Sequence, residues 1–109
     1  MVCLWKEVIL LTRKEIQKIN KELKKFNNYY SIIPLKEINI KLKENGLILI
    51  QEDNTEWNGF LCGDNSQTTF IVGKYIGESK TYEPIKNTML SLSWYKMESG
   101  KYEIVTYLT

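Results

Sequence analysis

Four lysines in the segment LTRKEIQKINKELKKF (residues 11–26) form the most readable chemical pattern in this chain. These lysines are Lys14, Lys18, Lys21 and Lys25. On an α-helix their side chains would fall within a sector of roughly 60° around the helix axis. Such a stripe can contact the phosphates of a nucleic acid, because each neutralised phosphate releases counterions. It can also be a solvated helix face, since Glu15 and Glu22 flank it and the pairs Lys18–Glu22 and Glu22–Lys25 would partly neutralise it. The chain also has a single arginine, the residue preferred for base and phosphate recognition.

The sequence does not contain the residues that several common kinds of catalysis require. The chain contains no histidine and two cysteines, Cys3 and Cys62. It therefore offers no Ser-His or Cys-His pair, no histidine base and no His-bound metal, and two distant cysteines do not make a structural zinc site. Neither G-x-x-x-x-G-K-S/T nor G-x-G-x-x-G occurs. We expect no catalytic residues, no metal and no cofactor, and a chain that is not an enzyme.

Two weaker signals have ordinary interpretations. The segment EDNTEWNG (52–59) gathers three carboxylates, but Trp57 stands at the fifth position from Asp53, where an EF-hand needs an oxygen ligand. A hairpin turn is the preferred interpretation. Cys62 has apolar neighbours in FLCGDN, so we expect a buried structural thiol.

Exposed aromatic side chains are the remaining candidates for binding. The alternation in MLSLSWYKM (89–97) predicts a strand with two different faces. One face carries Leu90, Leu92 and Trp94, and the other carries Ser91, Ser93 and Tyr95. We expect the first face to pack on helices and the second to be partly wet. Tyr95, beside Ser91 and Ser93, is the best candidate for an exposed protein-binding anchor.

Local start signals predict the helix that carries the lysines. Thr12 and Glu15 match the S/T-x-x-E capping box, and Leu11 and Ile16 occupy the positions of a hydrophobic staple. The helix is expected to begin at Thr12 and to run to about Asn27, where turn residues follow.

The other elements complete the predicted layout. Residues 2–11 are predicted to be a β-strand. A second helix is predicted over PLKEINIKLKEN (34–45), with Pro34 in its first turn and Gly46 just after its end. Five strands follow in LILI, EWNGFLC, TTFIVGKY, MLSLSWYKM and KYEIVTYL, with a longer loop over 76–87.

The predicted fold is therefore a single α+β domain over residues 1–109. It has an N-terminal strand and two helices, followed by an antiparallel five-strand meander that packs against the helices. In the last hairpin, a turn at Ser99-Gly100 is predicted to set Met97 opposite Tyr102, Lys96 opposite Glu103 and Trp94 opposite Val105. A winged helix-turn-helix is the competing layout. The long first helix, the long NNYYSIIP connection and the number of strands after the helices count against it.

Composition bears on source and location. Residues 1–45 carry ten Lys/Arg and five Glu, a net charge of +5, whereas residues 46–109 carry five Lys and eight Asp/Glu, a net charge of −3. The absence of alanine and the abundance of lysine, isoleucine and asparagine are typical of AT-rich codons, as in an AT-rich bacterium or its phages. There is no long apolar run and no signal-peptide pattern, so a cytoplasmic protein without a membrane partner is expected.

Three functions remain open at this level. The leading hypothesis is a small non-catalytic protein-binding module, in the form of a phage or mobile-element inhibitor that occludes a component of a host defence system. The first alternative is a nucleic-acid-binding protein that uses the lysine stripe. The second is a small-molecule or nucleotide binder. A homodimer formed by extension of the sheet is also possible.

Overall fold

The computed structural model describes residues 10–27, 29–76 and 81–109. In this part of the chain two α-helices pack on one face of an antiparallel sheet, so the α+β class is confirmed. The elements are α1 (Arg13–Leu23), a 3-10 turn (Lys24–Phe26), β1 (Tyr29–Tyr30), α2 (Leu35–Glu44), β2 (Leu47–Ile50), β3 (Asn65–Ile76), β4 (Thr81–Lys96) and β5 (Tyr102–Leu108). Strands β2 to β5 form an antiparallel meander, and the two-residue β1 pairs with β5 at one edge.

Helix α1 begins where the capping motif predicts. The hydroxyl of Thr12 accepts a hydrogen bond from the N–H of Glu15 at 3.1 Å, and the Glu15 carboxylate accepts one from the N–H of Thr12 at 3.2 Å. The two bonds satisfy backbone donors of the first turn. The hydrogen bonds from Thr12, its N–H foremost, lower the pKa of Glu15. Leu11 and Ile16, the staple pair, both pack against the core.

Helix α2 ends at the predicted glycine. Pro34 is the N-cap and Leu35 the first helical residue, so the proline lies one position earlier than expected. Gly46 has a φ of 75°, a left-handed conformation that glycine adopts without steric cost. Its N–H donates to the C=O of Lys43 at 3.0 Å, and the chain passes directly into β2.

The core lies between the helices and the inner face of the sheet. Its buried side chains alternate along the strands, as expected for a sheet with one covered face. They are Ile19, Leu23 and Phe26 from the α1 region, Ile38 and Leu42 from α2, and Leu47, Leu49, Phe70, Val72, Ile85, Leu90, Leu92, Trp94, Ile104 and Leu108 from the strands. The prediction that Leu90, Leu92 and Trp94 share the packed face is therefore confirmed.

The predicted five-strand meander is wrong, because only four strands follow α2 in the part of the chain that the structure describes. The segment EWNGFLC is not a strand; Glu56 makes an isolated bridge with Ile50, and the rest is irregular. Its apolar residues reach the core from a loop: the Trp57 ring packs edge-on against Phe70, with 5.0 Å between centroids. The loop predicted over 76–87 is also wrong, since β4 already begins at Thr81.

The N-terminal strand is not matched. Of its predicted range, 2–11, only Leu10 and Leu11 belong to the described residues, and neither lies in a strand. The competing winged layout does not fit either, because a wing needs two strands and this meander has four.

The register of the last hairpin differs from the prediction by one residue. Lys96 pairs with Tyr102, Tyr95 with Glu103 and Trp94 with Ile104. The reason is the turn, in which the N–H of Met97 donates to the C=O of Lys101 at 2.8 Å. Three residues, 98–100, therefore lie between Met97 and Lys101. Gly100 has the positive φ of 88° that such a turn needs.

Asparagine side chains protect the outer edge of β5. The side chain of Asn20 accepts from the N–H of Leu108 at 2.6 Å and donates to its C=O at 2.7 Å. The Asn27 side chain accepts from the N–H of Thr106 at 2.7 Å. These amides take the place of a neighbouring strand, so the edge is closed against further pairing.

The hydroxyl of Thr106 is the one buried side-chain oxygen among the described residues that has no hydrogen-bond partner. Thr106 is 1% exposed. Valine would replace the unpaired hydroxyl by a methyl group, so we expect Thr106→Val to raise the free energy of unfolding by about 1 kcal/mol in urea denaturation. Thr69→Val, at an exposed position of β3, is the matched control and is expected to stay within about 0.5 kcal/mol. A destabilised Thr106→Val protein would contradict the assignment.

Candidate functional site

The lysine stripe is exposed on the side of α1 that faces away from the core. Lys14, Lys18 and Lys21 lie on α1, Lys25 lies in the 3-10 turn, and all four are exposed. The ion pairs within the described chain join Lys41 to Glu44, Lys43 to Glu56 and Lys96 to Asp64. None involves Lys14, Lys18 or Lys21, so these three ammonium groups are open to an anionic partner.

Lys25 and the lysines of α2 are in a different situation. The hydrogen bond from Lys41 lowers the pKa of Glu44, and the nearby charge of Lys25 adds to this. Lys41 and Lys43 have carboxylate partners at 2.7 and 3.0 Å, so they do not extend the stripe as free charges. Within the described chain, the lysines of the stripe without a carboxylate partner are therefore the three on α1.

Glu22, expected to pair with the stripe, bonds to α2 instead. Its carboxylate accepts a hydrogen bond from the side chain of Asn45 at 2.8 Å. No ion pair joins it to Lys18 within the described chain. The neutralisation of Lys18 predicted from helical spacing is therefore not found.

The sheet has an outer face, turned away from the helices, that no described element covers. Cross-strand pairing places Ser93 between Gln67 of β3 and Val105 of β5, and Ser91 between Thr69 and Tyr107. On β3 to β5 the outer face includes Asn65, Gln67, Thr69 and Ile71, then Met89, Ser91, Ser93 and Tyr95, then Glu103, Val105 and Tyr107. Ile48 and Ile50 of β2 lie on the same face and are buried.

Side chains of very different size make up the outer face. Tyr95 is 58% exposed, and Val105 and Tyr107 are each 44% exposed. Ser91 is only 8% exposed, which places it in the floor between larger neighbours. Tyr95 therefore lies where the sequence predicts, whereas Ser91 offers little surface for direct contact.

Sequence reasoning missed Val105 and Tyr107 on this face. The predicted register set Val105 opposite Trp94, on the buried side. A shift of one residue moves every side chain of a strand to the other face, and the observed pairing of Trp94 with Ile104 brings Val105 and Tyr107 out beside Tyr95. The alternation in YEIVTYL already showed that these residues share a face, but not which face.

The other predicted signals have structural roles or none. Gln51 to Glu56 form a tight turn, in which the N–H of Gln51 donates to the C=O of Thr55 at 2.7 Å. Cys62 is exposed, so the prediction of a buried thiol is wrong. Its segment is a loop, and its apolar neighbours are not all buried: Phe60 is exposed as well. Among the described residues, no group of three carboxylates or thiols could hold a metal ion.

Neither described helix has the length and apolar character that a membrane-spanning helix requires. No known protein family, no curated protein and no solved structure was found to match this chain. The function therefore has to be argued from these surfaces themselves.

Proposed function

We propose that this chain is a non-catalytic protein-binding module that contacts its partner through the outer face of the sheet. One observation carries the proposal: Met89, Tyr95, Val105 and Tyr107 are exposed together on one face of the sheet. Tyrosine and methionine are among the residues enriched at protein interfaces, and tyrosine is enriched among the residues that dominate binding energy.

The charge of the outer face favours a protein over a nucleic acid at this surface. Glu103 is its one charged residue, and it carries no lysine or arginine. A nucleic acid would find stacking platforms here, but no cations for its phosphates. A partner with apolar side chains and a basic group opposite Glu103 is complementary to it.

The size of the outer face argues against a stable homodimer formed by this face alone. Three strands at about 4.8 Å spacing, four side chains long at about 7 Å, give a face on the order of 15 by 25 Å. A stable interface uses about 800 Å² on each partner. A partner that forms a stable complex at this face therefore has to reach beyond it.

Occlusion of a partner's surface is the activity that suits such a module. A component of a host defence system stays our predicted partner, with a phage or mobile element as the source and the cytoplasm as the location. Purification of the tagged chain from its host, with identification of stoichiometric partners, tests this directly.

Truncation of the two exposed tyrosines tests the surface. Because central aromatic residues dominate interfaces, we expect Tyr95→Ala with Tyr107→Ala to weaken partner binding at least 100-fold in calorimetry or surface plasmon resonance. Ile40→Ala removes an exposed apolar side chain from α2, on the helical layer, and is the matched control without effect. Full binding by the double variant, with its thermal unfolding unchanged, would contradict the proposal.

Nucleic-acid binding is the second candidate, favoured by the exposed ammonium groups of Lys14, Lys18 and Lys21. If the stripe contacts phosphates, affinity for labelled duplex DNA or single-stranded RNA falls steeply between about 50 and 200 mM salt. Reversal of the three lysines to glutamate is expected to abolish this binding.

The control for this prediction changes the charge equally elsewhere. Lys36, Lys86 and Lys101 are exposed lysines off the stripe, and their reversal to glutamate is expected to leave most of the affinity. Equal losses of nucleic-acid affinity from the two triple reversals would show that binding depends on net charge alone and not on the stripe. No binding at low salt would leave the stripe as a solvated face.

A further inference from the structure

Among the described residues, the first half of β3 has a neighbouring strand on one side only. Strand β2 pairs only with residues Ile71 to Lys74 of β3, whereas β4 pairs with β3 from Asn65 onward. On the β2 side, residues 65–69 therefore have no adjoining strand in the described chain. We call this segment, Asn65–Thr69, the free edge.

Hydrogen bonds elsewhere in the sheet show which backbone groups point out of the free edge. The N–H of Lys96 donates to the C=O of Asp64, so even-numbered residues of β3 below the bulge face β4. The N–H of Trp57 donates to the C=O of Leu49 on the side of β2 that faces away from β3. Even-numbered residues of β2 therefore face odd-numbered residues of β3, which is the same alternation. The N–H and C=O groups of Asn65, Gln67 and Thr69 therefore point outward, and no described residue bonds to them.

The two edges of the sheet are treated differently. Asn20, Asn27 and β1 occupy the edge of β5. No described residue protects the free edge in this way, although exposed edges are a liability that folded proteins normally cover. An edge left open beside a cleft is the arrangement by which peptides are bound as an added strand.

A cleft of about 570 Å³ lies against the free edge. Its apolar lining includes Trp57, Leu61 and Phe70, which come from the inner side of the sheet. Glu52 and Asp53 line it where β2 ends. Hydrogen bonds from the Thr55 hydroxyl and then from its N–H lower the pKa of Asp53, so this carboxylate is negatively charged at neutral pH.

We propose that the free edge binds an extended peptide segment of a partner protein, which adds to β3 as a strand in line with β2. One apolar side chain of the peptide enters the cleft and packs on its lining of Trp57, Leu61 and Phe70, and a lysine or arginine meets Glu52 and Asp53. This inference rests on the strand edge and its cleft, and it does not depend on the outer face.

A second copy of this chain is a poorer occupant. Pairing of two free edges would bring Asn65–Thr69 of the copy, a polar and uncharged segment, against the cleft. It would supply neither an apolar side chain for Trp57 and Phe70 nor a cation for Glu52 and Asp53. The chemistry of the cleft therefore favours a different, basic and apolar peptide.

Selection from a phage-displayed library of random twelve-residue peptides tests this on the whole chain. We expect enriched peptides with alternating apolar residues and a lysine or arginine at one end. Gln67→Pro removes an outward N–H without removing a bond of the fold, and it is expected to raise the Kd of the selected peptide at least tenfold. Gln67→Ala keeps the N–H and is expected to bind like the parent.

Amide hydrogen exchange provides a readout that does not depend on the variants. In the free protein, the amides of Gln67 and Thr69 are expected to exchange quickly and those of Thr68 and Phe70 slowly. Bound peptide is expected to slow the exchange of the Gln67 and Thr69 amides. The proposal is overturned by a selection without enriched peptides, by equal binding to Gln67→Pro, or by exchange at Gln67 and Thr69 that peptide does not slow. A dimer in sedimentation that Gln67→Pro dissociates would assign the edge to a second copy and overturn it as well.

Discussion

Replacement of Trp94 by alanine is expected to lower the free energy of unfolding by about 3–5 kcal/mol, a large part of the stability of a domain of this size. Trp94 is 5% exposed on the inner face of β4, and its indole N–H donates to the C=O of Gly63 at 3.1 Å. The substitution therefore opens a cavity in the core and releases the loop before β3. Urea denaturation followed by circular dichroism measures the change.

The neighbouring position provides the control. Tyr95→Ala removes an aromatic side chain of similar size from the outer face, so it is expected to cost less than about 1 kcal/mol. Trp94→Phe keeps most of the apolar volume but loses the bond to Gly63, and we expect an intermediate loss of about 1–2 kcal/mol. Equal losses from Trp94→Ala and Tyr95→Ala would contradict the assignment of the two faces.

Asn20→Ala is expected to lower the free energy of unfolding by about 2–4 kcal/mol, more than a typical polar substitution. One side-chain amide makes two bonds to Leu108, at 2.6 and 2.7 Å, in a part-buried position. Alanine leaves both backbone groups of Leu108 without a partner, and each such loss costs about 1–3 kcal/mol. Urea denaturation measures the loss.

The same substitution is expected to change the assembly of the protein. Without the amide, part of the β5 edge is open to a strand from another molecule. Sedimentation should therefore show self-association that grows with concentration in Asn20→Ala. Lys21→Ala, next to it on the exposed side of α1, is expected to remain monomeric and to lose under about 0.5 kcal/mol. A monomeric and fully stable Asn20→Ala protein would show that water replaces the amide.

Much of the fold could be predicted because its signals are local. The Thr12–Glu15 capping box, the helix-ending Gly46 and the apolar run LILI each act within a few residues, and all three lie where predicted. The failures depend on information that is not local. The apolar residues of EWNGFLC serve the core from a loop, and nothing in their order distinguishes this from a short strand.

The candidate surfaces could be predicted only in part, for the same reason. Tyr95 and the stripe lysines follow from periodicity within one element. Val105 and Tyr107 required the register, and the register changed because the turn has one residue fewer than predicted. The free edge could not be predicted, because it depends on β2 ending at Ile50 while β3 continues past it to Asn65.

The asparagine contacts between α1 and β5 also bear on how fast this chain folds. Asn20 and its partner Leu108 are 88 residues apart in sequence, and Asn27 and Thr106 are 79 apart. Contacts of such separation require most of the chain to be gathered before they form, and folding slows as the mean separation of contacts rises. We infer that these two asparagine contacts form late, after the meander has brought β5 into place, and that they then hold the edge of β5.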